Sequence, residues 1–229
     1  TIGEANKVAA EAAEMVRAGF STVNLKIGLN PDEDVERVRA VREAVGKKVN
    51  IRVDANGAYT PMQAIEVIKR MEKYDLQYVE QPVPGWDLAG MAEVRRQVNV
   101  PISADESVFY LHNALDVVKM GAADIFALKV AKMGGIKRAK QVAAFAEMAN
   151  MPCMMNSNFE LDLGTAAAAI VAASSKMLKY DSEITGPLRH QTDVITKGVE
   201  YRNGFLILPT GPGLGIEINE DTLERYQIL

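Results

Sequence analysis

Residues 49–68 read VNIRVDANGAYTPMQAIEVI and contain the unit that decides the fold. Half of the first six residues are β-branched, and this run ends on Asp54, which predicts a strand with a carboxylate at its end. Thr60 and Pro61 then provide a helix cap and a first-turn proline, and residues 62–74 are predicted to be helical. A strand followed directly by a helix is the repeating unit of folds with a parallel sheet.

The same unit recurs along the chain, because six ionisable residues each stand where an apolar run ends. They are Lys26, Asp54, Glu80, Asp105, Lys129 and Glu183. The first four gaps are 28, 26, 25 and 24 residues, about one strand–loop–helix–loop unit, and the last gap of 54 equals two units. Since strand ends of a parallel barrel meet on one rim, this spacing predicts that the six side chains face one cavity.

The pattern predicts seven strands after a first helix, with no repeat at the level of individual residues. The predicted strands are residues 22–27, 49–54, 77–80, 101–104, 124–128, 152–155 and 179–183. The predicted helices are residues 5–17, 31–45, 62–74, 88–98, 113–120 and 136–149, with another from residue 163. Alternating strands and helices of this length indicate an α/β barrel over residues 1–190, followed over residues 191–229 by a tail of turns and short β-segments.

The composition is that of a globular protein, with 48% hydrophobic and 24% charged residues. The 26 basic and 30 acidic residues are well mixed and give a net charge of −4, so neither nucleic acid nor a membrane surface is expected as a partner. No stretch reaches 18 apolar residues. The single Cys153 excludes an internal disulfide and favours a reducing compartment, so a cytoplasmic location is predicted.

The chain opens with Thr1-Ile2-Gly3 and no methionine. This opening is interpreted as the end of a first barrel strand, which would complete eight strands. It also leads us to expect a fragment or a processed product.

Three of the six residues are acids from successive units, namely Asp54, Glu80 and Asp105. Three neighbouring carboxylates repel one another without a cation, and hard ions such as Mg²⁺ or Mn²⁺ accept such oxygen ligands. A single acid in this position is more often a solvated loop residue or a helix cap. Three in register favour a divalent-metal site.

Lys26 and Lys129 stand on either side of the three acids in the sequence. A partly desolvated lysine beside a metal can donate or accept a proton. The alternative is that both lysines only neutralise the acids. Neither histidine ends a predicted strand, so histidine catalysis is not expected.

Taken together, these residues resemble the barrel domain of the enolase superfamily, most closely its muconate lactonizing enzyme subgroup. The matching segments are NLKIG (24–28), RVDAN (52–56), VEQP (79–82), ADES (104–107), LKVAKMGG (128–135), EITGPL (183–188) and GPGLG (211–215). One departure is Asn24, which occupies the place of the first lysine of the family's Lys-x-Lys pair.

The resemblance implies a TIM-type (β/α)7β barrel that here lacks the N-terminal α+β capping domain and most of the first strand. It implies Mg²⁺ or Mn²⁺ bound by Asp54, Glu80 and Asp105, with Lys26 and Lys129 moving protons on opposite faces of an enolate. Residues expected at the substrate or in support of the site are Asn24, Asn56, Glu106, Glu160 and Glu183. The tail would pack against the capping domain, and the implied protein is a homo-oligomer.

The resemblance implies an isomerase of the muconate cycloisomerase type acting on a small carboxylate substrate. Alternatives within the superfamily are a dipeptide or N-acyl amino acid epimerase or racemase, and a dehydratase of acid sugars or hydroxy acids. An alternative of another class is a truncated, inactive barrel fragment without its lid, or one half of a split protein.

Overall fold

The computed structural model describes residues 3–227, so Thr1 and Ile2 of the predicted first strand lie outside the described residues. The chain divides into two compact units, residues 1–127 and residues 128–229. The predicted boundary at residue 190 stays a prediction. Within residues 3–227, no helix combines the length and the apolar character that crossing a bilayer requires.

The first unit alternates helices and parallel strands. Its helices are α1 (Ala5–Arg17), α2 (Pro31–Val45), α3 (Pro61–Met71, continued by a 3-10 turn over Glu72–Tyr74), α4 (Leu88–Gln97) and α5 (Leu111–Met120). Its strands are β1 (Thr22–Lys26), β2 (Asn50–Asp54), β3 (Leu76–Glu80), β4 (Ile102–Ala104) and β5 (Ile125–Leu128), whose last residue begins the second unit. They pair in the order β1-β2-β3-β4-β5, and every pair is parallel. The predicted elements of this unit are confirmed, with ends that differ by a few residues.

The register of these strands aligns their polar ends. Lys26 of β1 is the partner of Asp54 of β2, and Asp54 is in turn the partner of Glu80 of β3. The strands are buried on both faces, as is typical of a parallel sheet covered by helices: the neighbours Arg52 and Val53, which point to opposite faces, are 1% and 0% exposed. The apolar runs therefore form the core, and the ionisable residues end them together.

A buried cluster around the Asp34–Arg37 ion pair of α2 connects this helix to the loops after β1 and β2. Asp34 accepts hydrogen bonds from Arg37 Nη1 (2.6 Å), from the Tyr59 hydroxyl (2.6 Å) and from the Gly28 amide (2.9 Å). Burial, with this bond to Asp34, raises the pKa of Tyr59 far above its usual range. Because Asp34 and Arg37 pair with each other and make further hydrogen bonds, neither charge is buried without a partner. The cluster fixes the turn that directly follows Lys26.

The second unit contains one further parallel strand and several short antiparallel ones. Its helices are α6 (Ile136–Met148), α7 (Asp162–Ala173) and α8 (Glu220–Tyr226), with a 3-10 helix over Gly186–Arg189. Its strands are β6 (Cys153–Met155), β7 (Ile195–Lys197), β8 (Glu200–Arg202), β9 (Phe205–Ile207) and β10 (Glu217–Ile218). β7 pairs antiparallel with β10, and β8 with β9.

The predicted strand over residues 179–183 is wrong. The Lys179 amide donates to Cys153 O (3.0 Å) and the Glu183 amide donates to Met155 O (2.7 Å). Between these two bonds β6 advances by two residues and the partner segment by four, so a regular ladder cannot continue. Glu183 nevertheless reaches the level at which β6 ends.

The predicted tail of turns and short β-segments contains the four strands β7 to β10, and also the helix α8, which was not predicted. Asn219 caps this helix by accepting a hydrogen bond from the Thr222 amide (2.9 Å). Glu220 and Asp221 follow in the first turn, where acids are favourable. This cap and the two acids are the sequence signal that could have identified the helix.

Replacing Gly28 by alanine tests how tightly the turn after β1 is packed. Gly28 has φ +110°, and a Cβ there would stand 2.6 Å from the Ala58 Cβ. Gly135, at φ +115°, has nothing within 4 Å of the same added atom. Gly135→Ala should therefore lower the free energy of unfolding by about 1–2 kcal/mol, through backbone strain alone. Gly28→Ala should lose about 1–3 kcal/mol more, through the clash.

Urea unfolding followed by circular dichroism measures both losses. Equal losses in the two variants would show that the turn after β1 shifts to admit the methyl group.

Candidate active site

Three acids at strand ends of the first unit are buried. Asp54 is 1% exposed, and Glu80 and Asp105 are 0% exposed. Asp54 and Glu80 end adjacent strands in register, and Asp105 directly follows β4. Burial raises the pKa of Asp54, the positive charge and hydrogen bond of Lys26 oppose this, and the charge of Asp105 raises it further. This edge of the sheet therefore concentrates negative charge away from water.

The three acids do not converge into a ready-made metal-binding group in the structure. Among residues 3–227, no three side chains of His, Cys, Asp or Glu lie close enough together to enclose a metal ion. Their donor chemistry suits a hard divalent cation, because buried carboxylate oxygens that repel one another are stabilised by one. The role of Asp54, Glu80 and Asp105 as metal ligands stays a prediction.

Lys26 supplies positive charge to this edge. Its Nζ donates to Asp54 Oδ2 (2.5 Å) and to Asn56 Oδ1 (2.7 Å). The Lys26 side chain is 36% exposed, so the amine is attached to a buried carboxylate and is still accessible. Asn24, the departure from the family pattern, is half-buried on the same face of β1 two residues earlier.

Asn56 connects the loop after β2 to the loop after β4. Its backbone amide donates to Asp54 Oδ1 (2.9 Å), and its Nδ2 donates to Glu106 Oε1 (2.8 Å). Asn56 and Glu106 thus contact each other, and Asn56 contacts Asp54; the role of both residues in support of the site stays a prediction. Burial raises the pKa of Glu106, and the charges of Asp105 and then Asp54 raise it further. The hydrogen bond from Asn56 lowers it.

In the second unit, Lys129 directly follows β5 and is 8% exposed. Its carbonyl accepts a hydrogen bond from the Met133 amide (3.1 Å) in the turn that leads to α6. Gly134 and Gly135 complete this turn, both with positive φ. Lys129 is therefore an almost fully buried lysine at a strand end, as its position in the sequence predicts.

The two predicted acids of the second unit lie in loops. Glu160 Oε2 accepts a hydrogen bond from the Asn158 amide (2.9 Å), and Glu160 O accepts one from Thr165 Oγ1 (3.1 Å). A Cβ on Gly186 would stand 2.0 Å from Glu160 O, so the chain after Glu183 passes against the Glu160 backbone. Both glutamates are half-buried.

Three buried polar residues of the first unit were missed at the sequence level. Arg52 is 1% exposed and donates to Gln77 Oε1 (2.6 Å), with its guanidinium 4.9 Å from the centroid of the Tyr78 ring. Gln81 and Ser103 are 0% exposed, and Ser103 is the register partner of Glu80. The available signal was a polar residue within, or directly after, an apolar run.

Replacing Glu106 by glutamine tests the repulsion at this edge. Since the pKa of Glu106 is raised in the folded state, the folded protein binds this proton more tightly than the unfolded chain. Stability should then fall as pH rises above the ordinary value of 4.5. Glu106→Gln keeps an acceptor for Asn56 Nδ2 and carries no charge, so it should gain stability over the wild type between pH 4.5 and pH 7.

Glu36→Gln is the control with the opposite sign. The hydrogen bond from Arg39 lowers the pKa of Glu36, so this residue stabilises the fold near neutral pH, and the stabilisation is lost as pH falls below 4.5. Denaturant midpoints of the wild type and both variants, measured at pH values below and above 4.5 with EDTA present, give the pH dependence of stability for each protein. A Glu106→Gln variant that loses stability relative to the wild type as pH rises would contradict the interpretation.

Comparison with known proteins shows what the chain is similar to. The family model "Enolase C-terminal domain-like" matches residues 7–222. The L-Ala-D/L-Glu epimerase of Clostridium acetobutylicum is 36% identical over 220 residues, which are 95% of this chain and 61% of that protein. Muconate cycloisomerase 1 of Rhodococcus opacus is 34% identical over 97% of this chain and 60% of that protein.

The solved structure of the N-succinyl Arg/Lys racemase from Bacillus cereus superposes with a TM-score of 0.95, at 34% identity over 100% of this chain and 62% of that one. The structure of the dipeptide epimerase of Enterococcus faecalis, complexed with Mg and the dipeptide L-Leu-L-Tyr, superposes with a TM-score of 0.90. It is 38% identical, and the match covers 94% of this chain and 61% of that one. The chain thus spans about three fifths of the length of its relatives. These likenesses confirm the predicted fold class, the α/β barrel of the enolase superfamily, and the chain belongs to the enolase C-terminal domain-like family.

Proposed function

We propose that this chain carries the catalytic residues of an isomerase that moves a proton on the carbon next to the carboxylate of a small acid. The observation that carries the proposal is the Lys26 amine, 2.5 Å from a buried strand-end carboxylate and still accessible. An accessible amine beside a charged, water-poor edge is suited to proton transfer.

In this proposal Asp54, Glu80 and Asp105 would hold Mg²⁺ or Mn²⁺. The fit is supported by the burial of all three acids and by the raised pKa of Asp54. A divalent cation bound there would neutralise these acids and attract the carboxylate of the substrate, favouring negative charge on its neighbouring carbon. Asn56 would hold Lys26 and Asp54 in place through the two hydrogen bonds it makes to them.

Lys26 and Lys129 would be the two proton-transferring groups. Lys26 lies at the end of β1, and Lys129 directly follows β5, in the places that the family resemblance gives to its two lysines. Removal and return of a proton on opposite faces of one carbon requires two such groups. Closure of a ring on a diene acid requires only one.

Two reactions of this class are candidates. Cycloisomerisation of the muconate type is supported by the relative from Rhodococcus opacus, and also by the family motifs. Epimerisation of a dipeptide or an N-acyl amino acid is supported by the presence of both lysines and by the epimerase relatives, which are 36–39% identical. Glu160 and Glu183 would contact the far end of the substrate. The cytoplasmic location and the homo-oligomer stay predictions.

Proton exchange in deuterated buffer tests the proposal and separates the two reactions. The chain is incubated with Mg²⁺ and, separately, with L-Ala-L-Glu, N-succinyl-L-arginine or cis,cis-muconate. Mass spectrometry and NMR follow deuterium at the carbon next to the carboxylate. An epimerase should incorporate deuterium with inversion, and a cycloisomerase should form a deuterated lactone.

Single substitutions assign the lysines. In an epimerase, Lys26→Ala and Lys129→Ala should each slow formation of the inverted, deuterated product by about 10²- to 10⁴-fold, the usual contribution of a general acid or base. Lys129→Ala should leave Mg²⁺ affinity nearly unchanged. Lys137→Ala, on the exposed face of α6, is the matched control and should exchange as the wild type does.

A longer protein that contains this sequence distinguishes a wrong reaction from an incomplete chain. Exchange by the longer protein only would support the site and show that this chain alone is inactive. Two results would contradict the proposal. One is deuterium incorporation at the wild-type rate in both lysine variants, and the other is no incorporation into any of the three acids by this chain or by the longer protein.

A further inference from the structure

Gln81 occupies an unusual position directly after Glu80. Both side chains are 0% exposed, as is common where a parallel sheet is covered on both faces. Gln81 has φ +37°, in the left-handed region that residues with a Cβ rarely adopt. Such a conformation persists only where the surrounding contacts stabilise it.

The side-chain amide of Gln81 uses every hydrogen-bonding site that it has. Oε1 accepts from the Asp105 amide (3.0 Å) and from the Ser107 amide (3.1 Å). Nε2 donates to Val83 O (2.8 Å) and to Ser107 Oγ (2.9 Å). Two acceptor positions and two N–H donors are the full capacity of a glutamine side chain. It holds the backbone on both sides of residue 106.

The backbone of Gln81 reaches two further segments. Its amide donates to Ser103 O (2.8 Å) in β4, and its carbonyl accepts from the Gly57 amide (2.7 Å) in the loop after β2. Gln81 thus contacts the chain next to the ends of β2, β3 and β4, which are the three strand ends that carry the buried acids.

From these contacts we infer that Gln81 is a positioning residue: it fixes the loop that carries Asp105 relative to Glu80, and so sets the affinity of the three acids for a divalent cation. The inference rests on the proposed function for the cation, but the hold on the loop rests on the hydrogen bonds alone. Gln81 itself need not touch the cation or the substrate. Loss of a partner that orients metal ligands commonly costs about 10- to 100-fold in metal affinity.

The main variant is Gln81→Met, which is similar in length and has no hydrogen-bonding amide. Mn²⁺ binding, measured by calorimetry and by electron paramagnetic resonance, should weaken by about 10- to 100-fold. In metal-free protein, hydrogen exchange at the Asp105 and Ser107 amides should accelerate by at least about tenfold, because their acceptor is lost. Both readouts are independent of turnover.

A second variant keeps the test valid if Gln81→Met does not fold. Gln81→Asn keeps the amide, and asparagine tolerates left-handed φ better than glutamine, so backbone strain is relieved. Its side chain is one methylene shorter and should not reach the Asp105 amide. It should fold and still lose Mn²⁺ affinity.

Ser107→Ala is the matched control. It removes one acceptor of Gln81 Nε2 and the hydroxyl that donates to Gly85 O (3.0 Å), but leaves both amides on Gln81 Oε1. It should lower the unfolding temperature and leave Mn²⁺ affinity nearly unchanged.

The outcomes distinguish this inference from the proposed function. Unchanged Mn²⁺ affinity in both folded Gln81 variants would overturn the positioning role and leave Gln81 merely structural. A wild type that binds no Mn²⁺ would overturn the proposed metal site, and with it the cation part of this inference. Amide exchange would then decide by itself whether Gln81 holds the loop, and unchanged exchange would overturn that as well.

Discussion

Parallel pairing in register is the constraint on which the first unit depends. It places Lys26 opposite Asp54, and Asp54 opposite Glu80, at the ends of three adjacent strands. A shift of one residue would turn these side chains to the other face of the sheet and bring their apolar neighbours to the strand-end edge. The same pairing that buries Leu25, Val53 and Val79 thus assembles the charged edge. Core and candidate site are two consequences of one register.

Burying several carboxylates is unfavourable unless something compensates for the lost hydration. In the first unit, part of the compensation is local: Lys26 and the Asn56 amide bind the two oxygens of Asp54, and Asn56 Nδ2 binds Glu106. The uncompensated part is visible in the raised pKa values of Asp54 and Glu106, which burial raises first and the charge of Asp105 raises further. In the proposed function, a divalent cation would supply the compensation that these contacts leave out.

The sequence predicted the elements well where local chemistry and packing agree. Asn30-Pro31 and Thr60-Pro61 are caps with first-turn prolines, and both helices begin as predicted, to within one residue. Prediction failed where long-range geometry decides. The segment 179–183 has strand-like residues but inserts two extra positions against β6, which no local pattern reports. Among the site residues, charged groups at strand ends were predictable by type and spacing. Gln81 and Arg52 were not, because their importance depends on what surrounds them once buried.

Left-handed backbone occurs beside candidate site residues in each unit, and also elsewhere, at Asp75, Asn150 and Asn203. In the first unit, Asn56 and Gln81 have φ +44° and +37°, and each lies within two residues of a buried strand-end acid. In the second unit, Phe159 has φ +61° and directly precedes Glu160. Asparagine tolerates this conformation, but glutamine and phenylalanine gain nothing from it locally, so other contacts must enforce it. For Gln81 these contacts are the hydrogen bonds of its side chain and backbone. For Phe159 they include His190 Nε2 on its carbonyl (2.7 Å) and the Arg189 guanidinium 4.5 Å from its ring centroid. In both units, contacts from other segments hold a strained turn beside an acid, and a turn held in this way restricts the directions that the acid's side chain can take.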